Sequence, residues 1–365
     1  MKLCIIAPSF IGGGAERIAV NLANHYTEQG YDVSLLVFKG VGPYADQVSN
    51  KVRLIDLKAS RNRYVFFRLW KSLKKEQPTH VLSVMRGSNI ILGLLAWISK
   101  DYRLVYREAS TLNAIVNLPM LRRLMFEFLM KLAYSKVNLI IANSEDTKTD
   151  LVKSKILDEE KIVVVGNPVL PADYKSKMNQ PLTHPWFTDP KIKVVLTVGR
   201  LHKLKNQALL VKAFSEVVKS RDEIRLVILG SGEERDNLLQ LAEILNISEK
   251  MEIIHFQENP YPYYKNADLF VLTSDWEGFG NVLVEAMACG TPVISTDCPG
   301  GPKSIISNKR IGSLIPVNNI DALEKSISDA LRDFSNVELE DAINRASVFS
   351  IDSIACLYMD KIKNA

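Results

Sequence analysis

The sequence predicts an α/β protein made of two doubly wound parallel-sheet domains. Three observations carry that expectation. Strand-like and helix-like apolar spacings alternate along most of the 365 residues. The alternation breaks once, at residues 167–191, where Pro168, Pro171, Pro181, Pro185 and Pro190 fall with little periodicity. The halves on either side share an architecture without a fixed repeat of roughly 20–50 residues, which excludes a solenoid. A hydrophobic content of 47% and a charged content of 24% are those of a globular protein. A chain of this length can bury a large core without metal or disulfide staples.

In the first half, Leu3 to Ala7 reads as a strand, Gly12-Gly13-Gly14 as a loop, and Ala15 to Gln29 as a helix closed by Gly30. Val33 to Phe38 and Val52 to Leu57 follow as strands. A helix from Tyr64 to Glu76 leads to strand His80 to Val84, and a helix from Asn89 to Ser99 leads to strand Leu104 to Tyr106. A helix from Leu121 to Ser135 leads to strand Leu139 to Asn143, and Ile162 to Val165 is the last strand of this half. Strands alternating with helices in this way make a parallel sheet covered on both faces.

The second series begins at Val194. Val194 to Val198, Leu226 to Leu229, Glu252 to Phe256 and Leu269 to Thr273 read as strands, and Asn206 to Lys219 as a helix. The expected organisation is a first domain over residues 1–168, a linker over 169–191, a second domain over 192–346 and a terminal helical segment over 347–365. The apolar spacing of Ile351 to Ile362 fits a helix and leaves open where it packs.

Several classes are disfavoured. Cys4, Cys289, Cys298 and Cys356 form neither a CxxC pair nor a ligand cluster, so they read as free thiols in a reducing compartment. The first residues run straight into a strand and lack a signal-peptide pattern. The uncharged run from Ile90 to Ser99 is about half of the ~20 residues a membrane helix needs. A cytoplasmic protein, peripheral at most to the inner face of the membrane, is expected. Residues 1–170 hold 24 Lys and Arg against 15 Asp and Glu, a balance of +9, and residues 171–365 hold 22 against 26, a balance of −4. A basic first half calls for an anionic partner there. Nothing points to nucleic acid.

The most informative stretch is Ser274 to Pro299. A glycine-bearing loop, Asp275 to Gly280, follows a strand. Asn281 is a good N-cap, Val282 to Ala288 forms a helix, and Gly290 ends it before a strand from Pro292 to Thr296. Glu277 lies in the loop and Glu285 one turn into the helix. The first backbone N–H groups of such a helix attract anions. Carboxylates accept hydrogen bonds from sugar hydroxyls. A ligand with a central phosphate and hydroxyl-rich rings at both ends, a nucleotide-sugar, suits the combination. As a bare pair, the two acids would read as solvated surface residues; the surrounding loop, the helix start and the companion motifs turn the argument toward a ligand.

Ligands of doubly wound sheets bind at the carboxyl ends of the strands. After Val194 to Val198 come Gly199, Arg200 and Lys205, a forked donor and a point charge able to neutralise a diphosphate. After Leu226 to Leu229 comes Gly230-Ser231-Gly232, which admits close backbone approach or simply makes the strand-to-helix turn. In the first domain the Gly12 to Gly14 loop opens a helix and can face a phosphate, but it is not the GxGxxG dinucleotide fingerprint, and no GxxxxGK[ST] is present. A dehydrogenase is thereby disfavoured. Arg86, Arg107 and Glu108 stand at first-domain strand ends as candidates on the acceptor side; either arginine could instead pair with a local acid.

Together, Gly13-Gly14-Ala15-Glu16-Arg17, Asn167-Pro168, Gly199-Arg200-Leu201 with Lys205, Gly230-Ser231-Gly232, and Glu277-Gly278-Phe279-Gly280 through Glu285 resemble the motifs of the family 4 (group 1) retaining glycosyltransferases of the GT-B fold. Glu277 and Glu285 reproduce the E-x7-E motif of that family. The resemblance spans both domains and is more specific in the second. It implies two Rossmann-like domains facing across a cleft. It also implies that Arg200 and Lys205 bind the donor diphosphate, that Glu285 holds the ribose hydroxyls, and that Glu277 contacts the donor sugar. The N–H groups of Phe279, Gly280, Asn281, Val282 and Leu283 would line sugar and phosphate, with Gly13, Gly14 and Gly230 completing the donor set. The implied catalytic residues are Glu277, Arg200 and Lys205, and the implied transfer retains the anomeric configuration with no metal ion and no cofactor. Consistent with that, the sequence has no DxD.

One departure concerns the acceptor side: where many members carry a His, this chain has Ala109 after Arg107 and Glu108. Basic and apolar residues interleave over 61–75 (Arg61, Arg63, Arg68, Lys71, Lys74 and Lys75 beside Val65, Phe66, Leu69 and Trp70) and again over 121–129. Such helices lie on an anionic membrane surface or pack as ordinary amphipathic helices. A glycan acceptor on a polyprenyl diphosphate is therefore expected. Asp297 to Pro302 resembles a variant found in bacterial polysaccharide assembly, and a UDP-linked hexose or N-acetylhexosamine is the favoured donor. Two rivals remain: an epimerase or hydrolase of nucleotide-sugars on the same fold, and a non-catalytic donor-binding subunit.

Overall fold

The structure is a computed structural model that describes residues 1–11, 14–59, 62–99, 101–109, 119–154, 157–332 and 338–365. Gly13 and the side chains of Arg61 and Arg63 lie outside the described residues. The chain divides into two compact units, Met1–Pro168 with Ile351–Ala365, and Val169–Ser350.

The first unit is built on β1 (Lys2–Ala7), β2 (Asp32–Val37), β3 (Arg53–Asp56), β4 (His80–Ser83), β5 (Arg103–Glu108), β6 (Leu139–Ala142) and β7 (Ile162–Val164), in the sheet order β3-β2-β1-β4-β5-β6-β7. Every pairing is parallel; Ile5, for example, sits opposite Leu35 of β2 and Leu82 of β4. Val65, Leu69 and Leu73 from helix Asn62–Glu76, Leu92 and Leu95 from helix Arg86–Ala96, and Met130 and Ala133 from helix Met120–Tyr134 pack with Cys4, Ile6 and Leu36 of the sheet. The final helix, Ile351–Lys363, packs against helix Gly14–Glu28, where the Tyr26 hydroxyl donates to the Ala355 carbonyl at 2.8 Å. The terminal segment therefore completes the first unit.

The second unit holds β8 (Lys193–Val198), β9 (Ile224–Leu229), β10 (Met251–Ile254), β11 (Leu269–Leu272), β12 (Val293–Thr296) and β13 (Ser313–Ile315), also parallel, in the order β10-β9-β8-β11-β12-β13. Val195, Leu226, Ile228, Val271 and Ile294 meet Leu210, Phe214, Val217, Leu323 and Ile327 in one core. Strand β13 and helices Ile320–Arg332 and Leu339–Ser347 were not anticipated by the sequence reading.

Two expectations are corrected here. Residues 169–191 are part of the second unit, not a free linker. They carry short helices at Tyr174–Met178 and Pro185–Thr188, and aromatic contacts hold them down: Tyr174 lies 6.3 Å from Tyr261 and Phe187 lies 5.4 Å from Tyr263, ring centre to ring centre. Strand β5 also runs two residues further than its apolar pattern suggests, so Arg107 and Glu108 lie within it. Among the described residues, no helix is long and apolar enough to cross a membrane.

Candidate active site

In the second sheet β8 has β9 on one side and β11 on the other, so the winding reverses between β8 and β11. Such a switch point leaves space at the carboxyl ends of the two strands. The loops there are laced together by backbone bonds: Leu201 N–H to the Ser231 carbonyl (3.0 Å), Asp275 N–H to Leu204 (2.9 Å) and Glu277 N–H to Pro299 (3.1 Å). A Cβ added at Gly230 would meet the Gly199 carbonyl oxygen at 1.9 Å. The close approach expected at Gly230 is thus already made by the neighbouring loop.

The loop after β8 turns at Lys203–Lys205 and continues into helix Gln207–Val217. Asn206 is left-handed at φ 45°, and its amide donates at 2.8 Å both to Asp275 Oδ1 and to Asn318 Oδ1. The Lys205 carbonyl accepts from the Thr273 hydroxyl at 3.1 Å. These bonds fix the Lys205 backbone against the loop after β11, and its ammonium forms an ion pair with Glu277 Oε1. The same oxygen accepts from Ser274 Oγ at 2.7 Å. Ser274 is fully buried, and its carbonyl accepts from Thr296 Oγ1 at 2.6 Å.

Glu277 and Glu285 are 6% and 4% exposed, so neither is a solvated surface acid. A buried carboxylate needs charge-matched or hydrogen-bonding partners. Glu277 has Lys205 and Ser274; Glu285 Oε2 accepts from the Tyr264 hydroxyl at 3.0 Å. Burial, together with the nearby Glu277 charge, pushes the Cys298 thiol up to about 12. Burial and Glu285 do the same to Cys289, also to about 12. Neither thiol is available as a nucleophile at neutral pH.

The cap of helix Asn281–Ala288 differs from expectation. Gly280, at φ 96°, takes the N-cap and Asn281 is the first helical residue, because the chain enters the helix through a backbone angle that a side chain disfavours. The N–H of Leu283 bonds the Gly280 carbonyl at 2.9 Å. Phe279 is buried with its ring 5.3 Å from Phe349, so its side chain belongs to the core of the unit. Val282 is half-buried. Arg200 follows β8 with an exposed side chain that has no ion-pair partner among the described residues, while its carbonyl accepts from Gln207 at 3.0 Å.

The first-unit candidates form a second polar cluster. Arg86 opens helix Arg86–Ala96, and its Nε and Nη2 donate to Glu108 Oε2 at 3.0 and 2.8 Å. Glu108 Oε1 accepts from Asn89 at 2.8 Å and from the Tyr134 hydroxyl. Burial alone would lower the Arg86 pKa; Glu108 and Tyr134 outweigh it and hold the guanidinium above its ordinary value. Burial, reinforced by Glu108, holds the Tyr134 phenol well above its ordinary value. Arg107 is 1% exposed, with Nη2 donating to Asn167 Oδ1 at 2.6 Å. Arg86 therefore pairs with a local acid, and Arg107 braces the residue before Pro168. Gly14 opens the first helix and is exposed.

In the sequence, Ser274 and Asn206 stand out only as the first residues of a stretch and of a helix, and Tyr264 not at all. Ser274 stands three residues before Glu277, within reach of its carboxylate. The cluster of Tyr261, Tyr263 and Tyr264 before β11 was the overlooked signal for a buried aromatic support.

Two α/β units with parallel sheets, and basic and acidic loops meeting at the switch point of the second, define a sugar-transferring enzyme of the GT-B type. Residues 183–347 match the family described as glycosyl transferases group 1, and residues 12–172 match glycosyltransferase family 4. The chain belongs to this family and is a glycosyltransferase. It is 29% identical over 346 residues to a Campylobacter jejuni enzyme named N-acetylgalactosamine-N,N'-diacetylbacillosaminyl-diphospho-undecaprenol 4-alpha-N-acetylgalactosaminyltransferase, covering 91% of this chain and 90% of the relative. It is 28% identical to the amylovoran biosynthesis glycosyltransferase AmsD of Erwinia amylovora, over 81% of this chain and 80% of that one. Its fold is similar to that of Anabaena HepE, solved with UDP, at a TM-score of 0.84 with 19% identity and full coverage of both chains.

Proposed function

We propose that this enzyme moves a hexose or N-acetylhexosamine from a UDP-linked donor to a glycan carried on a polyprenyl diphosphate, in bacterial glycan or polysaccharide assembly. The observation that carries the reading is the Lys205–Glu277 pair at the switch point of the second sheet, with Arg200 exposed on the same loop. Arg200 and Lys205 supply the positive charge that stabilises a departing diphosphate as its charge develops, in place of a metal ion. Glu277 orients the sugar through its hydroxyls, and Glu285 holds the ribose. The anomeric configuration is retained. The Campylobacter relative, whose name specifies a diphospho-undecaprenol acceptor, supports the choice of acceptor. The UDP in HepE supports the choice of nucleotide.

The first unit meets the lipid. Along helix Met120–Tyr134 the side chains of Met120, Leu121, Met125 and Phe128 are exposed by 77%, 81%, 59% and 65%, beside Arg122 and Arg123. Exposed apolar and basic side chains on one helix suit an anionic bilayer surface on the cytoplasmic side of the membrane.

The test is a thermal-shift screen against UDP-, GDP- and ADP-sugars, repeated with Arg200→Ala. A ligand at 100 times its dissociation constant adds ~2.7 kcal/mol. Stabilisation by UDP-sugars alone, lost in the variant and unaffected by EDTA, is expected. Stabilisation by another nucleotide class, or a strict need for Mg²⁺, overturns the donor or the metal-free mechanism. Failure to sediment with anionic vesicles at low salt overturns the membrane reading.

A further inference from the structure

Tyr264 has no role in the reading above, yet it is fully buried and its hydroxyl reaches Glu285 Oε2 at 3.0 Å. It sits on the short helix Tyr261–Asn266, 21 residues before its partner in sequence. Packing alone does not account for a tyrosine here. The ring lies edge-on to Phe270 of β11 at 5.5 Å, a contact that phenylalanine would keep. The backbone is also secured, since the Tyr264 carbonyl accepts from Thr291 Oγ1 in the turn after helix Asn281–Ala288. The hydroxyl is therefore delivered to the carboxylate by a rigid support anchored at both ring and backbone. Ser274 does the same for Glu277 in the neighbouring loop.

We propose that Tyr264 is a positioning residue for the donor: by holding one oxygen of Glu285 it fixes the plane of that carboxylate, so that it accepts from the ribose hydroxyls of the nucleotide. The inference rests on the donor role given to Glu285 above. A carboxylate that loses this contact loses part of its directional hydrogen bonding, and a ligand without ribose hydroxyls would not register the difference.

The experiment compares UDP with 2′,3′-dideoxyuridine diphosphate by titration calorimetry on the full chain, using wild type, Tyr264→Phe and Glu285→Gln. Wild type is expected to bind UDP more tightly than the dideoxy analogue by ~10-fold or more, as a pair of hydrogen bonds to a charged acceptor gives. Tyr264→Phe is expected to weaken UDP by ~10-fold and leave the analogue within about twofold, so the discrimination collapses. Equal weakening of both ligands, or unchanged UDP affinity, overturns the positioning role. If Glu285→Gln keeps full discrimination, or wild type does not bind UDP, the donor reading of this site falls and the inference falls with it. If Glu285→Gln loses discrimination and Tyr264→Phe keeps it, the donor reading stands and the inference alone is overturned.

Discussion

Lys205 and Glu277 share one oxygen-centred contact, and that has a measurable consequence for their variants. Glu277 Oε1 receives both the Lys205 ammonium and the Ser274 hydroxyl, and the carboxylate side chain is only 8% exposed. Removing the lysine leaves a buried acid short of its countercharge; removing the acid frees the lysine to swing from its place. Each of Lys205→Ala and Glu277→Ala is expected to lower turnover by ~100-fold, or ~2.7 kcal/mol of transition-state stabilisation. Independent residues would give a double variant down by ~10,000-fold, about 5.5 kcal/mol. Residues that act through one contact give a double variant close to the worse single one, with a coupling energy near ~2.7 kcal/mol. The assay is kcat/KM for sugar transfer from the donor found in the thermal-shift screen, measured on all four proteins. Thermal melting is followed in parallel, because Lys205→Ala leaves the buried Glu277 carboxylate without its countercharge and is expected to lower the melting temperature as well. A double variant near the product of the singles would refute the coupling. Near-normal turnover in either single variant would remove that residue from the mechanism.

Gly230→Ala should lower the melting temperature even without ligand, because the added Cβ has the Gly199 carbonyl oxygen at 1.9 Å; unchanged melting with weaker UDP binding would instead assign that glycine to the ligand. Alkali should unfold the protein cooperatively. Burial raises Tyr134 and Tyr264 well above 10 in the folded chain, whereas unfolded tyrosines ionise near 10. Stability is therefore complete below about pH 10 and falls above it by ~1.4 kcal/mol per pH unit for each such tyrosine. Melting curves between about pH 8 and 11.5, with phenolate absorbance recorded alongside, check this. Full ionisation of all tyrosines near pH 10 with the fold intact would contradict it.

The strands of both sheets were legible because buried parallel strands are short apolar runs ending in Gly, Pro or charge, as Val194 to Gly199 and Leu269 to Ser274 show. The same rule misplaced the end of β5. Arg107 and Glu108 look like a strand terminus, yet both are buried with partners drawn from residues up to sixty positions away, such as Asn167. No local pattern marks a buried charged side chain whose hydrogen-bond partner lies at that distance. The prolines of 167–191 suggested an interdomain linker, whereas the aromatic contacts of Tyr174 and Phe187 that dock it in the second unit leave no local pattern. Glu277, Glu285, Lys205 and Arg200 could be picked out as candidates because residues at strand ends carry the chemistry of doubly wound folds. Tyr264 was missed because its partner lies across a helix and a strand, at a spacing no short motif records.

The final helix gives the chain an unusual order of assembly. Residues 351–363 belong to the first unit, although the whole of the second unit is synthesised before them. During translation the surface around Tyr26 stays uncovered until residues 351–363 have left the ribosome. The backbone crosses between the units twice, and the two crossings are bonded side by side, Val169 N–H to the Phe349 carbonyl at 2.9 Å. A chain that stops anywhere in the second unit lacks Ile354, Ala355, Tyr358 and Ile362, which are buried in the folded first unit.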